Sequence, residues 1–212
     1  MNIGVLIKLK VLSGTMDELI NQVQAATRLN PAGRHVETLF YLSANDSQEF
    51  YTFSLWHSLQ DLQEIQQNVK KNLLPVLQNR AKLLEQHFFR LKWEYRLLPQ
   101  PVEISTLRIL TFPPDFLPTR RNEIMESIRQ QRGNIPNIIG LWAGVSMEND
   151  YMVLYRFDWN SKQAQQKMFN SAMLNNSLAI GKGGGIKIEF ASSNLQEIFQ
   201  PDENNQLFLP ET

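Results

Sequence analysis

The chain has 212 residues, 42% of them hydrophobic, and its 21 Lys and Arg balance its 21 Asp and Glu. That length fits one large domain or two of about a hundred residues, with enough apolar material for a packed core. A formal net charge of zero gives no global field for nucleic acid or an anionic membrane, and the lack of cysteine excludes disulfides, thiol nucleophiles and thiolate metal sites.

Residues 3–11 alternate, with Ile3, Val5, Ile7, Leu9 and Val11 on one face and Lys8 and Lys10 on the other, which predicts a strand. The opening residues lack the basic and long apolar regions of a signal peptide. No apolar run approaches the ~18 residues of a membrane span, so a cytoplasmic protein without membrane or nucleic-acid partners is expected. Thr15 and Glu18 have capping-box spacing. Met16, Leu19, Ile20, Val23 and Ala26 then follow helical spacing until Asn30-Pro31-Ala32-Gly33 stops the helix. Residues 35–44 and 49–57 predict a hairpin across Asn45-Asp46-Ser47. Both strands are apolar on both faces, which predicts cover on both sides of the sheet. Ser58, with Asp61, caps the next helix. A second helical piece is predicted over 72–87 through Leu74, Leu77, Ala81, Leu84 and Phe88, with a kink or break around Lys71-Asn72 because Pro75 is tolerated only near its first turn. Phe89, Leu91, Trp93, Tyr95 and Leu97 alternate with charged residues, as in an amphipathic strand, and Pro99-Gln100-Pro101 reads as a linker.

The second half repeats this order. A strand over 102–112 leads through Pro113, Pro114 and Pro118 to a helix carrying Ile124, Met125 and Ile128. Strands over 137–147 and 151–159 flank the turn Glu148-Asn149-Asp150, and Ser161 caps a helix over 162–175. Trp56-His57-Ser58 and Trp159-Asn160-Ser161 punctuate the two halves alike. The offset that puts Pro31 on Pro136 also puts Leu19, Ile20 and Val23 on Ile124, Met125 and Ile128. The halves diverge at Gly181-Lys182-Gly183-Gly184-Gly185, read as a flexible loop able to act as a lid. Residues 186–191 read as a closing strand. Residues 1–99 and 100–193 are the expected repeats, and 194–212 a tail.

Two β-α-β-β-α-β units are two ferredoxin-like halves, and two such sheets packed face to face make an α+β barrel with helices outside. The strand ending Trp-x-Ser, followed by Gln60-Asp61-Leu62 or Lys162-Gln163-Ala164, resembles the antibiotic-biosynthesis-monooxygenase domain of the dimeric α+β barrel superfamily. The Pro-Gly turn after the first helix is similar, with one inserted residue and without the family's usual Glu. The resemblance covers nearly the whole chain as a tandem duplication. It implies cofactor-independent oxygenation of phenols or quinones, haem degradation, or an activity not yet assigned. The positions matching the haem degraders' iron ligand carry Pro75 and Leu178, and the first strands carry Ile7-Lys8-Leu9 and Thr106-Leu107-Arg108 where those enzymes place Asn. Haem degradation is therefore not expected, and no cofactor is.

None of His35, His57 and His87 pairs with another at helical spacing, so no metal site is expected. His57, where a strand ends, is a candidate general base, or a helix-boundary histidine. Tyr155 and Arg156 are the other candidate catalytic residues. Trp56, Trp142 and Trp159, with Tyr155, are candidates to line a flat apolar pocket for an aromatic ligand, or are simply core. Arg108 and Arg156 interrupt apolar strands and invite an anionic ligand, or salt bridges to Glu103 or Asp158. A monooxygenase, a binder of small hydrophobic ligands and a structural protein with a filled barrel all remain open. If there is one pocket, Trp142, Tyr155, Arg156 and the glycine loop favour the second half. The barrel is expected to close within one chain as an internal pseudo-dimer, with homodimerisation through helical faces left open.

Overall fold

A computed structural model describes residues 2–28, 35–63, 75, 77–96, 100–131, 137–169 and 187–194. The elements are β1 (Ile3–Val11), α1 (Met16–Arg28), β2 (His35–Ser43), β3 (Glu49–Trp56), β4 (Ala81–Arg96), β5 (Ile104–Thr111), α2 (Pro118–Gln131), β6 (Ile138–Ser146), β7 (Met152–Trp159), α3 (Lys162–Phe169) and β8 (Lys187–Asn194). A further helix begins at 59–63. The glycine loop, Leu178 and the tail beyond residue 194 lie outside the described residues.

All strand pairs are antiparallel, and they close a barrel in the order β1-β3-β2-β8-β5-β7-β6-β4. The expected α+β barrel thus closes within one polypeptide. Its inner face gathers residues of both halves into one core, among them Leu6, Tyr41 and Phe53 with Leu107, Trp142 and Leu154. The outer face is covered separately. Leu9, Phe40 and Phe50 pack against Leu19 and Val23 of α1, whereas Tyr155, Phe157 and Trp159 pack against Ile124, Met125 and Ile128 of α2. This double cover explains why the central strands carry apolar side chains on both faces.

The pairing repeats from half to half. Trp56 faces Ile3 and His35, and Trp159 faces Ile104 and Ile138. A register shift follows His35 in the first half and Ile138 in the second. Local signals act as read. Thr15 Oγ1 accepts from the Glu18 amide at 3.2 Å while Glu18 Oε2 accepts from the Thr15 amide at 3.3 Å. Ser58 Oγ accepts from the Asp61 amide and Ser161 Oγ from the Ala164 amide, each at 3.1 Å. Replacing either serine by alanine is expected to cost about 1 kcal/mol. For a chain of this size that is a fall in Tm of about 2–4 °C, read by thermal unfolding.

One element differs from expectation. Residues 81–87 are not helical but open the 16-residue strand β4. Ala81, Leu84 and Phe88 have helical spacing, yet β1 has a second edge whose amides and carbonyls need partners. Ala81 to Arg90 supply them, from Val11↔Ala81 to Ile3↔Arg90. A bulge where the register shifts between Lys8 and Leu9 changes the phase of the alternation. Ala81 can then face the outer layer and Phe89 the barrel interior.

Candidate functional site

Successive side chains of a strand point to opposite faces. On β7 this sends Leu154, Arg156 and Asp158 into the barrel and Tyr155, Phe157 and Trp159 outward beneath the helices. The candidate residues are divided accordingly. Trp142 and Arg156 lie inside, whereas Arg108, Tyr155 and Trp159 lie on the outer face of the second half. Trp142, Tyr155 and Arg156 therefore do not line one pocket, and Arg108 and Arg156 do not share a face although their strands are paired.

Inside the barrel, Arg156 Nε donates to Asp158 Oδ1 at 2.8 Å, the salt bridge foreseen as one alternative. Gly140 makes room for that carboxylate, since a Cβ there would lie 2.8 Å from Asp158 Oδ2. Trp142 meets Phe53 edge-on at 5.1 Å between ring centroids. Its indole Nε1 is buried and has no hydrogen-bond partner among the described residues. Trp142 and Arg156 thus pack and ion-pair on the inner face of the barrel.

The outer face of β5 and β7 offers more chemistry. Arg108 lies directly opposite Tyr155, and the two are 6% and 1% exposed. Burial lowers the pKa of the Arg108 guanidinium to about 10, so it stays charged at neutral pH. Burial raises the Tyr155 hydroxyl above the ordinary phenol range, with the Arg121 charge pulling the other way. Tyr155 is therefore a hydrogen-bond donor there and not a base. Its hydroxyl is buried without a hydrogen-bond partner among the described residues. Trp93, Tyr155, Phe157 and Trp159 form a run of rings at centroid separations of 6.0, 6.2 and 6.2 Å. Trp159 Nε1 donates to Thr106 Oγ1 at 3.1 Å, which fixes the ring that ends the run. On α2, Arg121 donates to the Asp150 carbonyl at 2.5 Å and to Asn122 Oδ1 at 3.3 and 3.0 Å.

The first half lacks this arrangement. Its Ile7↔Thr52 pair stands where the second half has Arg108↔Tyr155. Trp56 packs there with Ile3, Val5 and Leu62, and His57 is exposed beyond the strand end. His57 and Tyr155 thus belong to different halves and form no pair. Sequence reading missed Trp93 and Arg121. Arg121 did leave a signal, because with Ile124, Met125 and Ile128 it completes the buried stripe of α2. Among the described residues, no three His, Cys, Asp or Glu side chains converge to hold a metal ion, and no helix is long and apolar enough to cross a membrane.

The chain is therefore a single-chain α+β barrel in which buried Arg108 and Tyr155 stand opposite one another beneath the helices of one half. No family model and no curated protein sequence matches it. Solved structures do. A candidate monooxygenase from Fusobacterium nucleatum superposes with a TM-score of 0.71 at 10% identity, covering 91% of this chain and 94% of that one. One from Lactobacillus acidophilus gives 0.62 at 10% identity, covering 90% and 92%. An anthrone oxidase-like protein gives 0.60 at 13% identity, covering 94% and 92%. At these identities the likeness is one of fold, the expected α+β barrel.

Proposed function

We propose that the chain binds a small acidic aromatic molecule, phenolic or quinone-like, between the outer face of β5 and β7 and helix α2, and oxygenates it without a cofactor. The observation that carries this reading is the Tyr155 hydroxyl, buried without a partner among the described residues and directly across from buried Arg108. A buried hydroxyl left unpaired costs roughly 1–3 kcal/mol, which a ligand oxygen recovers by accepting from it. A cation beside that oxygen favours the ionised ligand, and the run of rings from Trp93 to Trp159 suits a flat partner. An ionised phenol carries carbanion character on its ring system and can react with dioxygen. A ring methylene then becomes a carbonyl: one oxygen atom stays on carbon, the other leaves as water, and the substrate supplies all four electrons. Arg108 and Tyr155 hold the oxyanion through this step. The fold shared with candidate monooxygenases supports the reading by analogy only.

Binding without chemistry is the second reading, favoured by the raised Tyr155 pKa, which removes that residue as a base. Native mass spectrometry of protein purified from its source names the occupant, and titration with a panel of phenols and hydroxyquinones measures affinity. Tyr155→Phe is expected to weaken binding about tenfold, the effect of one hydrogen bond to a charged group, and Arg108→Met at least as much. Both variants binding like the unmodified protein would overturn the site. Tight binding without oxygen uptake in an oxygen electrode would leave the binding reading and remove the oxygenase.

A further inference from the structure

The layer between α2 and the sheet holds a second buried cation besides Arg108. Arg121 stands on the stripe of α2 that also carries Ile124, Met125 and Ile128, and it is 7% exposed. Those three neighbours share one packed cluster with Tyr155. Among the described residues, neutral acceptors hold the Arg121 guanidinium most closely. They are the Asp150 carbonyl at 2.5 Å and Asn122 Oδ1 at 3.0 and 3.3 Å. The Asp150 carboxylate is farther off, at 3.4 Å, and its side chain is 70% exposed. Arg156 differs, since Asp158 meets it at 2.8 Å with a side chain only 14% exposed. A solvated carboxylate offsets a buried charge only weakly. The Arg121 charge does reach the Tyr155 hydroxyl, where it opposes the rise that burial imposes.

The two cations mark the ends of an apolar strip. The Phe112 amide donates to the Tyr151 carbonyl at 2.7 Å, so Asp150, which Arg121 grips, lies beside the end of β5. Arg108 stands four residues before Phe112, about 13 Å along the strand. Leu110, opposite Val153, lies on the same face between them. Arginine side chains reach inward from each end and shorten that gap toward the span of a fused aromatic system. We propose that the ligand is a fused-ring acid with two ionised groups at opposite ends. Arg108 and Tyr155 hold its phenolic oxygen, and Arg121 holds a carboxylate. This rests on the site between β5, β7 and α2 proposed above, and it makes Arg121 the residue that selects ligands with the second charge. A guanidinium binds a carboxylate through paired, charge-assisted N–H bonds, and the solvated Asp150 carboxylate yields its place to it.

Calorimetric titration of the full chain tests this with a hydroxynaphthoic acid, its two groups on opposite rings, and with the carboxamide of the same acid. The acid is expected to bind about tenfold more tightly than the amide, the effect of one charged hydrogen bond. Arg121→Gln should cancel that preference. Arg121→Lys should keep part of it, because the charge remains while the paired geometry is lost. Arg108→Met should weaken acid and amide alike. If Arg121→Gln does not fold, Asp150→Asn keeps the carbonyl that Arg121 grips and removes the competing carboxylate. The acid should then bind about threefold more tightly, with the amide unchanged. No preference for the acid, a preference that survives Arg121→Gln, or an equal loss in the Lys and Gln variants would overturn this inference and leave the site at Arg108 and Tyr155 standing. If neither compound binds and the panel of phenols is also silent, the site and this inference fall together.

Discussion

Replacing Asp158 by alanine is expected to lower the unfolding free energy by about 3 kcal/mol, the lower end of the cost of breaking a buried ion pair. The carboxylate sits 2.8 Å from Arg156 Nε, and the side chains are 14% and 10% exposed, so water screens the pair only slightly. Removing Asp158 leaves the guanidinium inside the barrel without that carboxylate. Replacing both residues together, Arg156→Met with Asp158→Leu, removes the charge as well as its partner and should be nearly neutral. Urea unfolding of the single and double variants separates the two cases. A single variant as stable as the unmodified protein would mean that the pair is solvated, and that Arg156 does not belong to the packed interior.

Trp142→Ala should cost about 3–5 kcal/mol, the range for deleting a large aromatic side chain from a core. The ring is 3% exposed and packs edge-on against Phe53. Two glycines leave room for it. A Cβ on Gly144 would lie 2.5 Å from the far edge of the indole, and a Cβ on Gly4 would lie 3.1 Å from it. That geometry makes a test beyond stability. The void left by Trp142→Ala is apolar and shaped for a bicyclic ring, so added indole should raise the Tm of the variant and not that of the unmodified protein. Trp142→Phe should cost much less, because the Nε1 it deletes has no hydrogen-bond partner among the described residues. A large loss for Trp142→Phe would point to a ligand or water on that nitrogen instead.

Much of the fold was legible because its signals are local. Thr15 with Glu18, Ser58 with Asp61, and Ser161 each satisfy backbone groups within three residues, so the sequence shows both partners. The repeated Trp-x-Ser is legible for the same reason. The start of β4 was not. Ala81, Leu84 and Phe88 satisfy a helical pattern locally, and only the second edge of β1, some seventy residues earlier, draws that segment into the sheet.

The candidate site divides in the same way. That Tyr155 and Arg156 point to opposite faces follows from the sequence alone, since they are neighbours on a strand. By itself the sequence determined the alternating strands, the capped helices, the repeated order and the chemical types of Arg108, Tyr155 and the tryptophans. Tertiary structure decided which face of each strand is the barrel interior, which residues stand opposite one another, and that Arg108 meets Tyr155 while Arg156 meets Asp158. The reason is physical. Alternation and caps arise from bonds within a few residues, whereas strand register and barrel closure are chosen by burying both apolar faces at once, a condition that no single segment carries.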